Sequence, residues 1–468
     1  MGQAVKIVVV GAGSIAFGEN TLAALMSAPA LKGSRLALVD TNEEGLRLVH
    51  RLAERLNAEW DGEWTVASHI SYEEALAGAQ FVVCSIEVGT REQLWRSDFE
   101  IPLRQGVRQP YAENGGPGGF AHAARNIWPI LGLVRAMERQ CPDAWLINYT
   151  NPMIRICDAV NRYSRIRCVG LCHQIYIGYT MAGIALAQDL GIEVPQGISG
   201  MYFDLAQIPL REEVKRQVVP LLDIRAAGLN HFSWVLSVHD RRNGEDLYPL
   251  LRRRFMELPP TFEPLTRRLL EIFGYFPISS DTHLSEYLPW LSDPQTRPWE
   301  KYGIRLFDWD LWAAVRQFTT ERLREMAEGT VTVRGLEEND SEGAREMIEN
   351  IASATKHLHL AANLPNRGQI LNLPQGAIVE TPVVVDGAGI HPVCVGELPE
   401  PIAELCRREI AVAQLAVDAA AQGDRSKALQ ALLLDPTIGD IDVAARILDD
   451  FLRAYRAYLP QFWDRCAN

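Results

Sequence analysis

The stretch "GLCHQIYIGY", residues 170–179, sets Cys172 directly before His173, the only such pair in the chain. A thiol beside an imidazole can ligate a metal or attack an electrophile, or the two can simply touch in a core. Adjacent residues of an extended strand face opposite ways, so the two do not readily hold one ion together. A metal would need a ligand from elsewhere, and "GLNHFSW" at 228–234 supplies His231 among apolar neighbours. One thiolate, one imidazole and open positions for substrate oxygens suit Mn2+, Co2+, Ni2+ or Fe2+ in a catalytic role. A lone Cys and a lone His in apolar strands also read as ordinary core residues.

Three other sets could do chemistry. In "YAENGGPGGF", residues 111–120, Glu113 precedes four glycines and a proline, whose bare backbone lets a ligand come close; a loop with an incidental glutamate is the alternative. "LINYTNP", residues 146–152, ends a strand with Asn148, Thr150 and Asn151, where ligands of parallel sheets bind, although Asn-Pro is also an ordinary turn. "VVVGAGSIAFG" places Gly11, Gly13, Ser14 and Ala16 between a buried strand and a helix, where bare amides can meet a pyrophosphate. Asp40 closes the next strand and can accept the hydroxyls of a ribose. It favours NAD over NADP, whose 2′-phosphate it would repel. Glu87, in "FVVCSIEVG", is a further cofactor-side candidate.

These groups need a scaffold, and the first 170 residues provide one. KIVVVGAG, RLALVD, FVVCSIEVG, AWLINYTNP and CVGLCH alternate with helical stretches up to about residue 28, at about 42–57 and at about 120–139. That alternation predicts an α/β fold, a Rossmann-like doubly wound parallel sheet covered on both faces. From about residue 195 the rhythm changes to α+β. ISGMYFDLAQ and IRAAGLNHFSWVLSVHD read as strands, followed by helices around 248–272, 308–328 and 341–363 and by amphipathic helix over 400–465, broken at PTIGD. The expected division is 1–195 for the dinucleotide and 196–468 for catalysis and oligomerisation.

The net charge of −13 gives no basic patch for nucleic acid or anionic membrane, and no apolar run approaches the roughly 18 residues of a membrane span. Eight cysteines without framework spacing, and a start lacking the pattern of a secretory signal, lead us to expect a cytoplasmic protein. The long C-terminal helices suggest a homodimer or homotetramer.

With these pieces in order, the chain resembles glycoside hydrolase family 4, NAD- and metal-dependent glycosidases related to lactate and malate dehydrogenases. The resemblance is carried by "GAGS" at 11–14, "IPLRQGV" at 101–107, "ENGGPGG" at 113–119, "AWLINYTNP" at 144–152, "GLCH" at 170–173, "GLNHFSW" at 228–234, "YFPISSDTHLSEYLPW" at 275–290 and "NLPQGAIVETPVVVDGAGIHP" at 372–392. It implies NAD, Mn2+ or a similar divalent ion, and an exception to two-carboxylate glycoside hydrolysis. Hydride leaves the sugar's C3 for NAD+, the C2 proton is removed, the glycosidic oxygen departs with acid help, water adds, and the hydride returns. The resemblance further implies Cys172 and His231 as metal ligands, Glu113 as the acid, and Asn151 and His173 as sugar contacts. Asn148 joins them as a candidate for the substrate. Members acting on 6-phosphorylated sugars usually have Asn or Asp after the cysteine, so His173 points to an unphosphorylated sugar.

The segment around His283 is most similar to the α-galactosidase and α-galacturonidase branch, which makes an α-galacturonide or α-galactoside the first expectation, with an α-glucoside or glucuronide behind it. That branch has Glu before this histidine; here the residues are Asp281, Thr282 and His283, so Asp281, His283 and Tyr287 all stand as the base. Gln174 and Tyr176 are bulkier than the branch's residues and are expected to reshape the sugar pocket. A simple dehydrogenase of a hydroxy acid or sugar, and a non-catalytic NAD and sugar binder, are the competing readings.

Overall fold

The computed structural model describes residues 4–13, 20–202, 204–336 and 343–463. Among these residues eleven strands form one sheet: β1 (Lys6–Val10), β2 (Arg35–Val39), β3 (Thr65–His69), β4 (Phe81–Cys84), β5 (Trp145–Asn148), β6 (Arg167–Gly170), β7 (Leu222–Leu229), β8 (Phe232–Asp240), β9 (His357–Pro365), β10 (Ile378–Asp386) and β11 (Gly389–Pro392). The first six are parallel in the order β3-β2-β1-β4-β5-β6, the doubly wound dinucleotide-binding order. Their apolar runs, such as Ile7 to Val10 and Phe81 to Cys84, are buried because helices cover both faces.

The sheet does not stop at the expected boundary. Beyond β6 it continues antiparallel through β9, β10, β7 and β8, with Gly170 opposite Asn363 and Glu380 opposite Gly228. The α+β segment is thus an extension of the same sheet. Five helices matter for the site: α1 (Gly116–Gln140), α2 (Met153–Tyr163), α3 (Gln174–Ala185), α4 (Pro264–Phe273) and α5 (Asp281–Leu284).

Several expected elements differ in the structure. ISGMYFDLAQ forms no strand over its described residues; the Met201 amide donates to the Glu263 carboxylate at 2.7 Å instead of to a neighbouring strand. The expected helix over 341–363 ends at Ser353, where Ala354 turns left-handed at φ 53°, and the alternating HLHLAANLP becomes β9. The helix expected over 248–272 is two, Tyr248–Glu257 and α4, separated by the proline-rich PPTFEP. The C-terminal stretch breaks at Gly423 as well as near PTIGD. The helix Glu400–Gln422 packs on α1 and α2 of its own chain, so its apolar face is already covered without a second copy.

Candidate functional site

Several residues singled out from the sequence lie at the carboxyl ends of parallel strands: Gly11 and Gly13 follow β1, Asp40 follows β2, Glu87 follows β4, Asn148 ends β5 and Cys172 follows β6. Gly11 sits at φ 90°, a conformation that favours glycine, and a Cβ there would lie 2.0 Å from the Ser85 carbonyl oxygen. The Gly13 amide donates to Asp40 Oδ2 at 2.8 Å, and the Asn42 amide donates to Oδ1 at 2.7 Å. Glycine turn and acidic strand end therefore meet, as a dinucleotide cradle requires. Ser14 and Ala16 lie outside the described residues. Glu87 lies past the end of β4, but its carboxylate faces His122 Nε2 at 3.0 Å, with Arg91 at 3.8 Å.

Cys172 and His173 stand in the turn between β6 and α3, not on an extended strand. The turn separates them: Cys172 is buried, while His173 at the head of α3 is exposed. His231 lies at the turn joining β7 to β8, 59 residues away in sequence, yet its Nε2 is 3.2 Å from Cys172 Sγ. Burial, with His283 and His173 adding to it, holds His231 well below the ordinary imidazole range, so its ring is neutral. The His283 ring stacks on it with centroids 4.4 Å apart.

Glu113 completes the group. It is buried at the head of α1, and its two oxygens accept from Asn151 Nδ2 at 3.1 Å and Asn114 Nδ2 at 3.0 Å. One ligand atom each of Glu113, His231 and His283 lies within 4.8 Å of the others. Nearby, Asn151 Oδ1, Asn114 Oδ1 and His231 Nδ1 are buried without a hydrogen-bond partner in the protein. Orphaned polar atoms around a carboxylate and two imidazoles are what a ligand would satisfy.

The three base candidates separate. Both oxygens of Asp281 accept donors at the start of α4: Leu265 N at 2.7 Å, Thr266 N at 2.8 Å and Thr266 Oγ1 at 2.7 Å. These bonds satisfy the free donors at the start of α4. The Tyr287 hydroxyl donates to the Asn230 carbonyl at 3.3 Å and accepts from the His231 amide at 3.2 Å, and burial pushes it well above the usual phenol range. It braces the turn that carries His231. His283 shares the cluster with Glu113 and His231. Burial opposes its protonation, but the Glu286 carboxylate at 3.0 Å outweighs that and raises it.

Asn148 turns inward, donating to the Thr150 carbonyl at 2.9 Å, and shapes the loop that bears Asn151. Gln174, at the start of α3, is buried and donates to Glu380 Oε2 at 2.7 Å; the Tyr176 ring lies 5.2 Å from Lys215 Nζ. Three residues escaped the sequence reading. Glu286 accepts the amides of Glu113, Asn114 and Gly115. His122 Nδ1 donates to the Glu113 carbonyl at 2.8 Å, the direction that acceptor requires. Glu380 accepts from Gln174, Asn230, Ser233 and Asn363. Each is an ordinary polar residue in its local pattern, and only the fold brings its partners together.

A thiol, a neutral imidazole and a carboxylate suit a divalent ion. The 3.2 Å between Cys172 Sγ and His231 Nε2 also matches two ligands of one ion, which bonds of about 2.1 and 2.3 Å place about 3 to 3.6 Å apart.

Residues 6–189 match the Family 4 glycosyl hydrolase model, and residues 226–438 match the Family 4 glycosyl hydrolase C-terminal domain. The chain belongs to family 4 of the glycoside hydrolases. It is similar to an alpha-glucosidase of Erwinia rhapontici, 30% identical over 98% of this chain and 99% of that one. An alpha-galactosidase of Bacillus subtilis is 31% identical over the same shares. An alpha-galacturonidase of Thermoanaerobacterium saccharolyticum is 27% identical over 97% of this chain and 96% of that one. A 6-phospho-alpha-glucosidase from gut microorganisms, solved with NAD and glucose-6-phosphate, shares the fold with a TM-score of 0.76 at 22% identity, covering 98% of this chain and 100% of that chain. The family 4 chain described here is therefore a glycosidase built on a dinucleotide-binding sheet, and the expectation of a simple dehydrogenase gives way to it.

Proposed function

We propose that this family 4 enzyme removes a terminal, unphosphorylated α-linked sugar, an α-galactoside or α-galacturonide first and an α-glucoside next, using NAD+ and a divalent ion such as Mn2+. One observation carries the reading: Cys172 and His231, 59 residues apart, converge to 3.2 Å beside the carboxylate of Glu113 and the ring of His283. When bound, NAD+ would accept and return a hydride at the sugar's C3, and the ion would supply the Lewis acidity that makes the C2 proton labile.

The chain's own residues divide the remaining work. Gly11, Gly13 and Asp40 hold the dinucleotide at the edge of β1 and β2. Cys172 and His231 hold the ion, and the neutral ring of His231 needs no proton removed before it ligates. His283, stacked on His231, takes the C2 proton through its Nε2. Glu113 delivers a proton to the departing glycosidic oxygen, with Asn151 and Asn114 fixing its orientation. His173, exposed at the head of α3, contacts the sugar; a neutral or anionic hydroxylated ring suits it. Among the described residues no helix is long and apolar enough to cross a membrane. None of the seven described cysteines is in a disulfide, and a cytoplasmic setting that keeps Cys172 reduced belongs to the same reading, as does a homo-oligomer.

A panel of 4-nitrophenyl glycosides and uronides, assayed with NAD+, Mn2+ and a reductant, tests the proposal. Release of nitrophenol should require both additions and stop on chelation. Stoichiometric accumulation of NADH without aglycone release would favour a dehydrogenase, and cleavage unaffected by chelator in enzyme stripped of NAD+ would overturn the reading.

A further inference from the structure

Glu286 is 3% exposed and belongs to none of the roles assigned above. Its Oε2 accepts three successive backbone amides, Glu113 N at 3.0 Å, Asn114 N at 2.7 Å and Gly115 N at 3.1 Å. Its Oε1 lies 3.0 Å from His283 Nδ1. One carboxylate thus fastens the loop bearing the acid to the short helix bearing the base, although 171 to 173 residues separate them in sequence. Gly115 makes the approach possible: a Cβ there would fall 2.3 Å from the Glu286 carbonyl oxygen.

We propose that Glu286 is the positioning residue of this active site, fixing both the place of Glu113 and the tautomer of His283; this rests on the reading of Glu113 as acid and His283 as base. The reasoning is one of donors and acceptors. Oε2 is saturated by three amide hydrogens, and a carboxylate only accepts, so the hydrogen between Oε1 and His283 must sit on Nδ1. In the neutral ring Nε2 is then bare, and with a ring nitrogen of His283 within 4.8 Å of the ligand atoms of Glu113 and His231 the imidazole can take a proton from carbon beside them. An imidazole held by a carboxylate at one nitrogen and aimed at its target with the other is a recurring arrangement in proton transfer. Here the same carboxylate also sets the opposite partner, so acid and base keep their separation when the substrate enters.

Glu286→Gln preserves the volume and divides the two functions. If its carbonyl oxygen keeps the three amides, its NH2 group faces His283 Nδ1, which must then accept. The ring hydrogen moves to Nε2, and the base is blocked. Turnover of a 4-nitrophenyl glycoside with NAD+ and Mn2+ should fall about 100-fold or more, with KM little changed. The primary isotope effect with substrate deuterated at C2 should rise, because C2–H cleavage becomes more limiting, whereas a merely structural lesion would leave that ratio unmoved. Unchanged kcat and isotope effect in the variant, beside a wild type that shows a C2 effect, would overturn the proposal.

A second measurement does not depend on the variant folding. Long-range 1H–15N spectra of wild-type enzyme holding NAD+ and a diamagnetic divalent ion, with His283→Gln supplying the assignment, should show the neutral ring protonated at Nδ1. Protonation at Nε2 would overturn the proposal. A wild type with no C2 isotope effect and no need for NAD+ would instead contradict the family mechanism for this chain and remove the base role on which the proposal stands.

Discussion

Among the three residues offered as base, hydrogen-bond commitment is the ground on which we propose His283. His283→Gln is expected to lower kcat by 10²- to 10⁴-fold, the usual worth of a general base. Tyr287→Phe should cost at most tenfold, since its hydroxyl serves backbone groups at 230 and 231. Asp281→Asn should lower the melting temperature more than it lowers kcat per folded molecule, because it replaces one of the two oxygens that accept the Leu265 and Thr266 donors at the start of α4. Steady-state kinetics beside thermal melts would check all three, and loss of chemistry in Asp281→Asn with full stability would reverse the ranking. The sequence made Cys172, His231, Glu113 and Asn151 legible because each sits in an unusual local pattern, a Cys-His pair, a histidine in an apolar strand, an acid among glycines or an Asn-Pro turn. It left the base open because Asp281, His283 and Tyr287 share one segment and differ only in what the fold puts opposite them.

Two turns carry Cys172 and His231, the pair we propose to hold the ion, and the buried carboxylate of Glu380 on β10 ties them together. It accepts Asn230 Nδ2 at 2.9 Å, beside His231, and Gln174 Nε2 at 2.7 Å, two residues past Cys172. Ser233 and Asn363 also donate to it, which offsets the cost of burying the charge. Replacing Glu380 with alanine would leave Asn230 Nδ2 and Gln174 Nε2 buried without an acceptor, while Ser233 Oγ and Asn363 Nδ2 would keep only the Leu229 and Gly170 carbonyls. We expect a loss on the order of 3 kcal/mol in denaturant unfolding and weaker Mn2+ binding by calorimetry; native stability in Glu380→Ala would show that the tie is dispensable. This link could not be read from sequence, since β7, β10 and the head of α3 meet only because the sheet continues past β6. The parallel half was legible, because its strands are buried on both faces and run as apolar blocks between helices. The antiparallel half mixes alternating strands with short helices, which is why 341–363 read as one helix and ISGMYFDLAQ as a strand.

At the scale of the whole molecule, the C-terminal helix Glu400–Gln422 closes over α1 and α2 and buries Glu409. Burial, helped by Asp435 and opposed by Arg155, pushes the Glu409 carboxyl up from 4.5 to about 8. The folded state therefore holds this proton more tightly than the unfolded chain does. Its contribution to stability is fully present below pH 4.5 and is lost as pH rises through 8, by no more than roughly 5 kcal/mol at 1.36 kcal/mol per unit. Glu409→Gln should accordingly be more stable relative to wild type at pH 8.5 than at pH 5 in chemical denaturation; a pH-independent difference would mean that the carboxyl is not held neutral. The same closure keeps α1 in place, and with it Glu113 at its head. The central claim is that proton abstraction at C2, by groups gathered from both halves of one sheet, precedes cleavage of the glycosidic bond. Turnover of an accepted α-glycoside in D2O with NAD+ and Mn2+ measures this directly: mass spectrometry and proton NMR of the released sugar should show one deuterium at C2, and a product carrying none there would contradict the account.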